Sequence, residues 1–239
     1  MLVETDAIVL HTIKYSETSV IAHIYTEQFG NGTYIMNGVR TNHSKMAMFQ
    51  PLSFVHITAY RKKGSNQIHR ISTISFISVP TSTISNIYKS TISLFIGEIT
   101  DRIFKEEEQS EILFKFLKMF VLLLEHSEQN YANLHILYML HITRFLGVFP
   151  KNTYSEHTTV FSPFQGQFVA HGSCDGTLSP EDSLLFNKIL QTNEITDEIP
   201  LSQKERRKLL DILLSYYDIH ICKTQNINSL EVLKMVFEN

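Results

Sequence analysis

Tryptophan is absent from this chain of 239 residues, and only two cysteines, Cys174 and Cys222, occur in it. Two cysteines so far apart form no disulfide framework and suit a reducing compartment. No C-x-x-C occurs, so the paired ligand spacing of a structural zinc site is missing. Long apolar runs are missing too. The longest, Met119–Leu124, falls far short of the roughly 20 residues that cross a bilayer. The opening MLVETDAIVL carries acids where a secretory signal carries positive charge. No signal peptide is expected, and the protein is expected to be soluble and cytoplasmic. Catalytic signatures are equally scarce: there is no GxxxxGK[ST], GxGxxG, GxSxG or HExxH. Neither an enzyme nor a bound metal or cofactor is expected.

What is present is a core-forming composition and an uneven charge. Hydrophobic residues make up 43%, enough to exclude disorder, and the formal net charge is −3. That total hides an asymmetry. Residues 1–80 hold seven basic side chains (Lys14, Arg40, Lys45, Arg61, Lys62, Lys63 and Arg70) against four acidic ones (Glu4, Asp6, Glu17 and Glu27). The remainder carries fourteen basic against twenty acidic groups. A basic front on an acidic body points to a polyanionic partner at one end only.

The chain changes character near residue 80. Before it, five stretches read as strands: Glu4–Ile13, Ser19–Thr26, Thr33–Val39, Ser53–Tyr60 and Ile68–Val79. Turn residues at 28–32, Pro51 and the basic hairpin Arg61-Lys62-Lys63-Gly64-Ser65-Asn66 separate them. Five strands in under 80 residues with no long helix between them suggest a small closed barrel of the five-stranded OB type. After Pro80 the apolar period becomes helical. Helices are predicted over Ile84–Phe104, Ser110–His126, Asn133–Leu146, Ser179 to about Leu190, Ser202–Ile221 and Ser229–Phe237. Ser179 followed by Pro180, and Ser202 followed three residues on by Glu205, are helix-start signals. Residues 151–178 read as irregular. The expected fold class is α+β, with an OB-fold nucleic-acid-binding domain at 1–80 and an all-α domain at 81–239 carrying an irregular insert at about 150–178.

The barrel supplies the candidate contacts. OB barrels hold nucleic-acid strands with cationic and aromatic side chains. Arg40, Lys45, Arg61, Lys62, Lys63 and Arg70 are the cationic candidates, and Tyr34 and Tyr60 the candidate stacking surfaces. Lys45 lies in the polar stretch Thr41-Asn42-His43-Ser44-Lys45, expected as a loop free to reach a phosphate backbone; Arg61–Lys63 form a hairpin tip. His157, His171 and Cys174 lack the fourth ligand and the spacing of a zinc site. His220 is expected to stabilise a helix end, and Glu106-Glu107-Glu108 to be a solvated one.

Two sets of residues carry a family resemblance. The first is Asp6-Ala7-Ile8-Val9-Leu10, Tyr15-Ser16-Glu17-Thr18-Ser19, Ile24-Tyr25-Thr26-Glu27-Gln28-Phe29-Gly30 and Asn37-Gly38-Val39-Arg40. The second is Phe145-Leu146-Gly147-Val148-Phe149-Pro150, then Leu210, Leu213, Leu214, Tyr216, Tyr217 and His220, then Ser229, Leu230, Val232 and Leu233. In this order they resemble the RecO family of bacterial recombinational DNA repair mediators over essentially the whole chain. The resemblance implies a non-enzymatic protein that binds single- and double-stranded DNA and anneals complementary strands. It also implies help in loading RecA, together with RecR and the single-stranded-DNA-binding protein. Arg40 falls in the matching G-x-R. The family's pocket for the acidic tail of the single-stranded-DNA-binding protein lies in the helical domain, where Arg144 and Lys151 flank the matching segment. One departure is clear. Many members carry a zinc module of two C-x-x-C pairs, and the second pair would fall near Ala170 and Ser173. The module is therefore expected to be zinc-free here, held by packing of Phe161, Phe164 and Phe168.

Two rivals remain open on the sequence. One is a scaffold protein whose barrel binds only other proteins, favoured by the negative total charge. The other is a nuclease on an OB barrel, which needs a metal-binding carboxylate cluster; Glu4, Asp6, Glu17 and Glu27 lack that spacing.

Overall fold

The structure is a computed structural model that describes residues 1–62, 67–104 and 109–238. Its first half is a closed barrel of five strands: β1 (Leu2–Lys14), β2 (Val20–Thr26), β3 (Gly30–Met36), β4 (Phe54–Tyr60) and β5 (His69–Ser78). Around the barrel the order is β1-β2-β3-β5-β4, closing on β1. β3 and β5 pair in parallel and the other neighbours antiparallel. This is the expected OB barrel, with strand ends within a few residues of those predicted.

Alternation explains the closure. Val20, Ala22, Ile24, Tyr34, Met36, Val55, Ile57, Ala59 and Ile71 point inward and form one core with Val3, Ala7 and Val9. β1 departs from alternation: Ala7, Ile8, Val9 and Leu10 are all fully buried. Its inner face fills the barrel, and its outer face is covered by a helix. That helix is α3 (Ile87–Ile103), and the close approach falls at Gly97, where a Cβ would meet the Leu10 carbonyl.

Two predictions before residue 104 need correction. The stretch around Lys45 is not an open loop. Asn42 caps a short helix, α1 (His43–Ala47), by accepting from the Lys45 N–H at 3.1 Å. Asn is a strong helix cap, and that signal is present in the sequence. The helix predicted over Ile84–Phe104 is two, α2 (Thr81–Ser85) and α3, divided at Asn86. The Asn86 side chain accepts from the N–H groups of Tyr88 (2.9 Å) and Lys89 (3.2 Å) and so restarts the helix.

The remaining helices are α4 (Glu111–His126), α5 (Leu134–Ile142), α6 (Pro180–Leu190), α7 (Gln203–His220) and α8 (Asn228–Glu238), with a two-stranded hairpin of β6 (Val160–Ser162) and β7 (Gln167–Val169) before α6. α5 is buried on every side, and the chain beyond it tightens to i→i−3 hydrogen bonds until Gly147, at φ +70°. Ser179 caps α6, and Ser202 with Glu205 forms the capping box of α7. Among the described residues no helix is long and apolar enough to cross a membrane.

Strands give way to helices at Pro80, but packing divides the chain elsewhere. One compact unit joins residues 1–127 with 229–236; the other comprises 128–228 with 237–239. In the first unit the Glu98 carboxylate accepts from the backbone N–H (2.9 Å) and hydroxyl (2.7 Å) of Ser229, anchoring the start of α8. In the second, Phe161 packs on Phe168 (5.2 Å between ring centroids) and on Phe186 (4.5 Å). Phe164 takes no part in that cluster: it is 77% exposed in the turn between β6 and β7.

Candidate nucleic-acid interface

The outer wall of β2 and β3 is covered at one end and partly exposed at the other. Its end near the β2–β3 turn is closed off. His23 Nδ1 donates to the Asp101 carboxylate on α3 at 2.7 Å, and the Asn31 amide donates to Asp101 (3.3 Å) and to the Phe104 carbonyl (3.0 Å). Tyr25 is fully buried between Phe104 and Phe114, and its hydroxyl accepts from the Ser110 N–H at 3.2 Å. Toward the β1–β2 turn the same wall is uncovered, with Ile21 and Ile35 side by side and partly exposed.

Cationic residues collect at both ends of the cross-strand line that runs through Ile21 and Ile35. At the first end, Arg40 leaves β3 through Gly38 (φ +70°) and folds onto the β1–β2 turn. Its backbone N–H donates to the Thr18 carbonyl at 3.1 Å, and its guanidinium donates to the Ser16 carbonyl. Lys14, the last residue of β1, is exposed beside the same turn. At the other end, Tyr60 and Arg70 are directly opposed on β4 and β5, both exposed, and the exposed Lys62 follows two residues on. Ile21 pairs with Ile13 on one side and Ile35 with Arg70 on the other, so the two groups are separated across the strands, at about 5 Å per strand step, and not along β2. The cations thus form two groups bounding a wall rather than one patch.

Three expected contacts have different surroundings from those predicted. Tyr34 is 1% exposed, its ring edge-on to His69 at 5.2 Å inside the barrel. It is therefore no stacking surface: position 34 falls on the inward parity of β3. Arg61 is held by its neighbours. Its N–H donates to the Met1 carbonyl and its carbonyl accepts from the Met1 amino group, each at 2.9 Å. Its guanidinium lies 4.2 Å above the Phe29 ring and donates to the Tyr34 hydroxyl at 3.4 Å. Lys45 is half-buried on α1. Lys63 lies outside the described residues, as do Glu106, Glu107 and Glu108.

In the helical unit, Arg144 donates to the carbonyls of Asn193 (3.0 Å) and Thr192 (3.5 Å), just past α6. Its guanidinium stacks 4.3 Å above Phe149. Phe149 in turn stacks on His141, whose pKa falls to about 4 through burial and the nearby Arg144 charge. Lys151 is exposed, and its N–H donates to the Gly166 carbonyl at 2.8 Å. His220, ending α7, donates from Nε2 to the Pro163 carbonyl at 2.7 Å and so ties α7 to the hairpin. A groove of about 470 Å³ between α6 and α7 went unpredicted; Leu184, Leu185 and Asn187 line it, flanked by Lys188, Lys204 and Lys208. Its one sequence signal is the apolar Leu184 on the polar side of α6. Among the described residues no three His, Cys, Asp or Glu side chains gather as a metal site.

Comparison with known proteins follows this two-part layout. Residues 1–79 match the family model described as Recombination protein O N terminal, and residues 84–229 match Recombination protein O C terminal. Among curated proteins, the chain is 33% identical over 242 residues to the DNA repair protein RecO of Flavobacterium psychrophilum, covering 99% of this chain and 100% of that one. It is 31% identical over 245 residues to the protein of that name from Phocaeicola vulgatus (99% and 100%) and 30% identical over 242 residues to that of Azobacteroides pseudotrichonymphae (100% of both).

Proposed function

The chain belongs to the Recombination protein O family, and from that premise we propose that it is a DNA repair protein working in the cytoplasm as a non-catalytic mediator. Its barrel binds single- and double-stranded DNA. Its annealing of complementary strands and its help in loading RecA proceed with RecR and the single-stranded-DNA-binding protein. The observation that carries this reading is the partly exposed pair Ile21 and Ile35, with Lys14 and Arg40 on the β1 side of it and Arg70 and Lys62 on the β5 side. An extended polyanion laid over such a wall meets positive charge along its path, and each neutralised phosphate releases counterions. Tyr60, 53% exposed beside Arg70, offers a ring face to a base. Lys45 and Arg61 stand further from this reading because of their local packing, and Lys63 remains a proposed contact. Arg144 and Lys151 remain the proposed contacts for the acidic tail of the single-stranded-DNA-binding protein, with Phe149 presenting Arg144.

The test is fluorescence anisotropy with labelled oligonucleotides over a salt series. Replacing Arg40, Lys62 and Arg70 together by glutamate should weaken single-strand binding by at least tenfold. It should also reduce the salt slope by about two, at roughly 0.7 per single-strand phosphate contact. Annealing of strands coated with the cognate single-strand-binding protein should fall in parallel. Binding equal to wild type at all salt concentrations would overturn the reading.

A further inference from the structure

The groove between α6 and α7 plays no part in DNA binding by the barrel, and one of its walls holds an unpaired polar atom. Leu184, Leu185 and Lys188 lie at helical spacing on α6 and line the groove, with Leu184 57% exposed. Asn187 lines it too. That side chain is buried, at 6% exposure, and its Oδ1 has no hydrogen-bond partner. A buried polar atom left unpaired is costly, because its lost hydration is not replaced. A ligand that brings an N–H donor in over the two leucines removes that cost. At about 470 Å³ the groove has the size of a site for one small molecule.

The other wall carries positive charge. α7 begins at the groove, with its cap Ser202 and its first-turn Lys204 in the lining. The start of a long helix favours an anion, because its first N–H groups lack partners within the helix and the backbone dipoles add up. Lys204 is exposed and has no ion pair among the described residues. Lys188 donates to the Pro200 carbonyl at 2.7 Å and stands 3.8 Å from Glu205. Lys208 donates to Asp182 at 2.8 Å and to Glu181 at 3.3 Å. Three lysines thus line the groove against two carboxylates, Glu181 and Glu205, an excess of one positive charge. A ligand with a single phosphate matches that balance. A triphosphate, or a peptide tail with several carboxylates, would meet the repulsion of Glu181 and Glu205 as well.

We propose that this groove binds one adenine nucleoside monophosphate, with the base over Leu184 and Leu185 and the phosphate at the start of α7 beside Lys204. Asn187 reads the base. A carboxamide offers an acceptor and a donor side by side, and these pair with adenine N6–H and N7. The same edge of guanine presents two acceptors, O6 and N7, and would leave Asn187 Oδ1 unpaired. The site lies within the second compact unit and does not depend on DNA binding by the barrel. Free AMP and the 5′-phosphorylated end of a dA strand share this chemistry.

Isothermal titration calorimetry on the full-length chain, with AMP, GMP, adenosine and inorganic phosphate, tests the assignment. AMP should bind at one site, and each of the other three should bind roughly tenfold or more weakly. Asn187→Leu should make AMP and GMP equal, and should leave Tm unchanged or raised because the unpaired acceptor is gone. Lys204→Glu should weaken AMP roughly tenfold and leave adenosine unaffected, since only the phosphate meets that side chain. Should Asn187→Leu fail to fold, Lys204→Glu and the wild-type preference for AMP over GMP still decide the matter. No saturable AMP binding by wild type, equal affinity for AMP and GMP, or AMP binding untouched by Lys204→Glu overturns the assignment. So does an acidic peptide that binds where AMP does not and loses its binding in Lys204→Glu. With AMP bound as expected, a dA strand whose affinity gains from a 5′-phosphate, and loses that gain in Lys204→Glu, puts a strand end in the groove; without such a gain the ligand is the free nucleotide, and either result supports the site. None of these outcomes bears on DNA binding by the barrel, so the two readings stand or fall separately.

Discussion

Gly97→Ala should destabilise this protein although alanine is the better helix former. Gly97 lies within the 17-residue α3 and is buried. At an ordinary helical position the exchange adds about 1 kcal/mol of stability. Here an ideal Cβ would sit well inside contact distance of the Leu10 carbonyl oxygen. It would also lie 3.3 Å from the Leu10 carbonyl carbon and 3.4 Å from Pro51 Cβ. The oxygen belongs to a barrel strand and cannot swing aside as a flexible side chain does. Relief requires α3 to withdraw by on the order of 1 Å, which forfeits a quarter to a half of each close dispersion contact along the seam. Overpacking of this kind costs about 1–3 kcal/mol and sometimes more, enough to exceed the propensity gain. With Ile92, Phe95, Ile96 and Ile99 all fully buried on the same helix, a net loss of about 2 kcal/mol is expected. For a chain of this size that lowers Tm by about 4–8 °C. The same shift would displace Asp101, four residues on, which holds His23 and Asn31 of the barrel wall. Single-strand binding should therefore weaken with stability. Thermal melts by circular dichroism decide the matter: an unchanged or raised Tm would show that the helix–strand approach has slack and refute the argument.

Two further outcomes follow from the helical unit. His135 is buried, and burial first, then the Arg206 charge, lowers its pKa to about 3; His141 falls to about 4 by burial and Arg144. Both stay neutral in the folded chain while the unfolded chain protonates them near 6.5, so stability is full above pH 6.5 and falls as pH drops toward 4. Each histidine contributes a slope of about 1.4 kcal/mol per pH unit there. Urea midpoints from about pH 7.5 to 4.5 should fall, less steeply in His135→Leu; a flat profile in wild type would contradict the buried neutral state. In the hairpin module, Phe161→Ala should cost about 3–5 kcal/mol, because a buried ring is lost. Phe164→Ser should change Tm little, and equal effects from the two would restore Phe164 to the packing cluster.

Much of the barrel is legible in the sequence because a half-buried strand must alternate. The parity of β2 and β4 by itself separates Ala22 and Ile57 from Ile21 and Thr58. Helix stops and starts at Gly147, Ser179 and Ser202 are equally visible, since a cap acts within one turn. Asn42 and Asn86 carry the same signal but read as loop and mid-helix, because Asn42 lies in a polar stretch with no apolar period and Asn86 lies where that period runs on past it. The candidate interface is only half visible. Cations can be counted along the chain, but which of them share a surface depends on closure.

From its sequence alone this chain was bound to form a five-strand barrel ahead of a helical body, with its positive charge concentrated in the barrel. Local patterns decide these things, since alternation, caps and charge need no knowledge of distant residues. Only the tertiary structure decided that Tyr34 faces inward while Tyr60 faces out, and that Arg61 rests on Phe29. It also placed Ile13, Ile21, Ile35, Arg70 and Tyr60 in one row. Alternation assigns residues to two faces without saying which is the core. The stagger at which the barrel closes is a property of all five strands together.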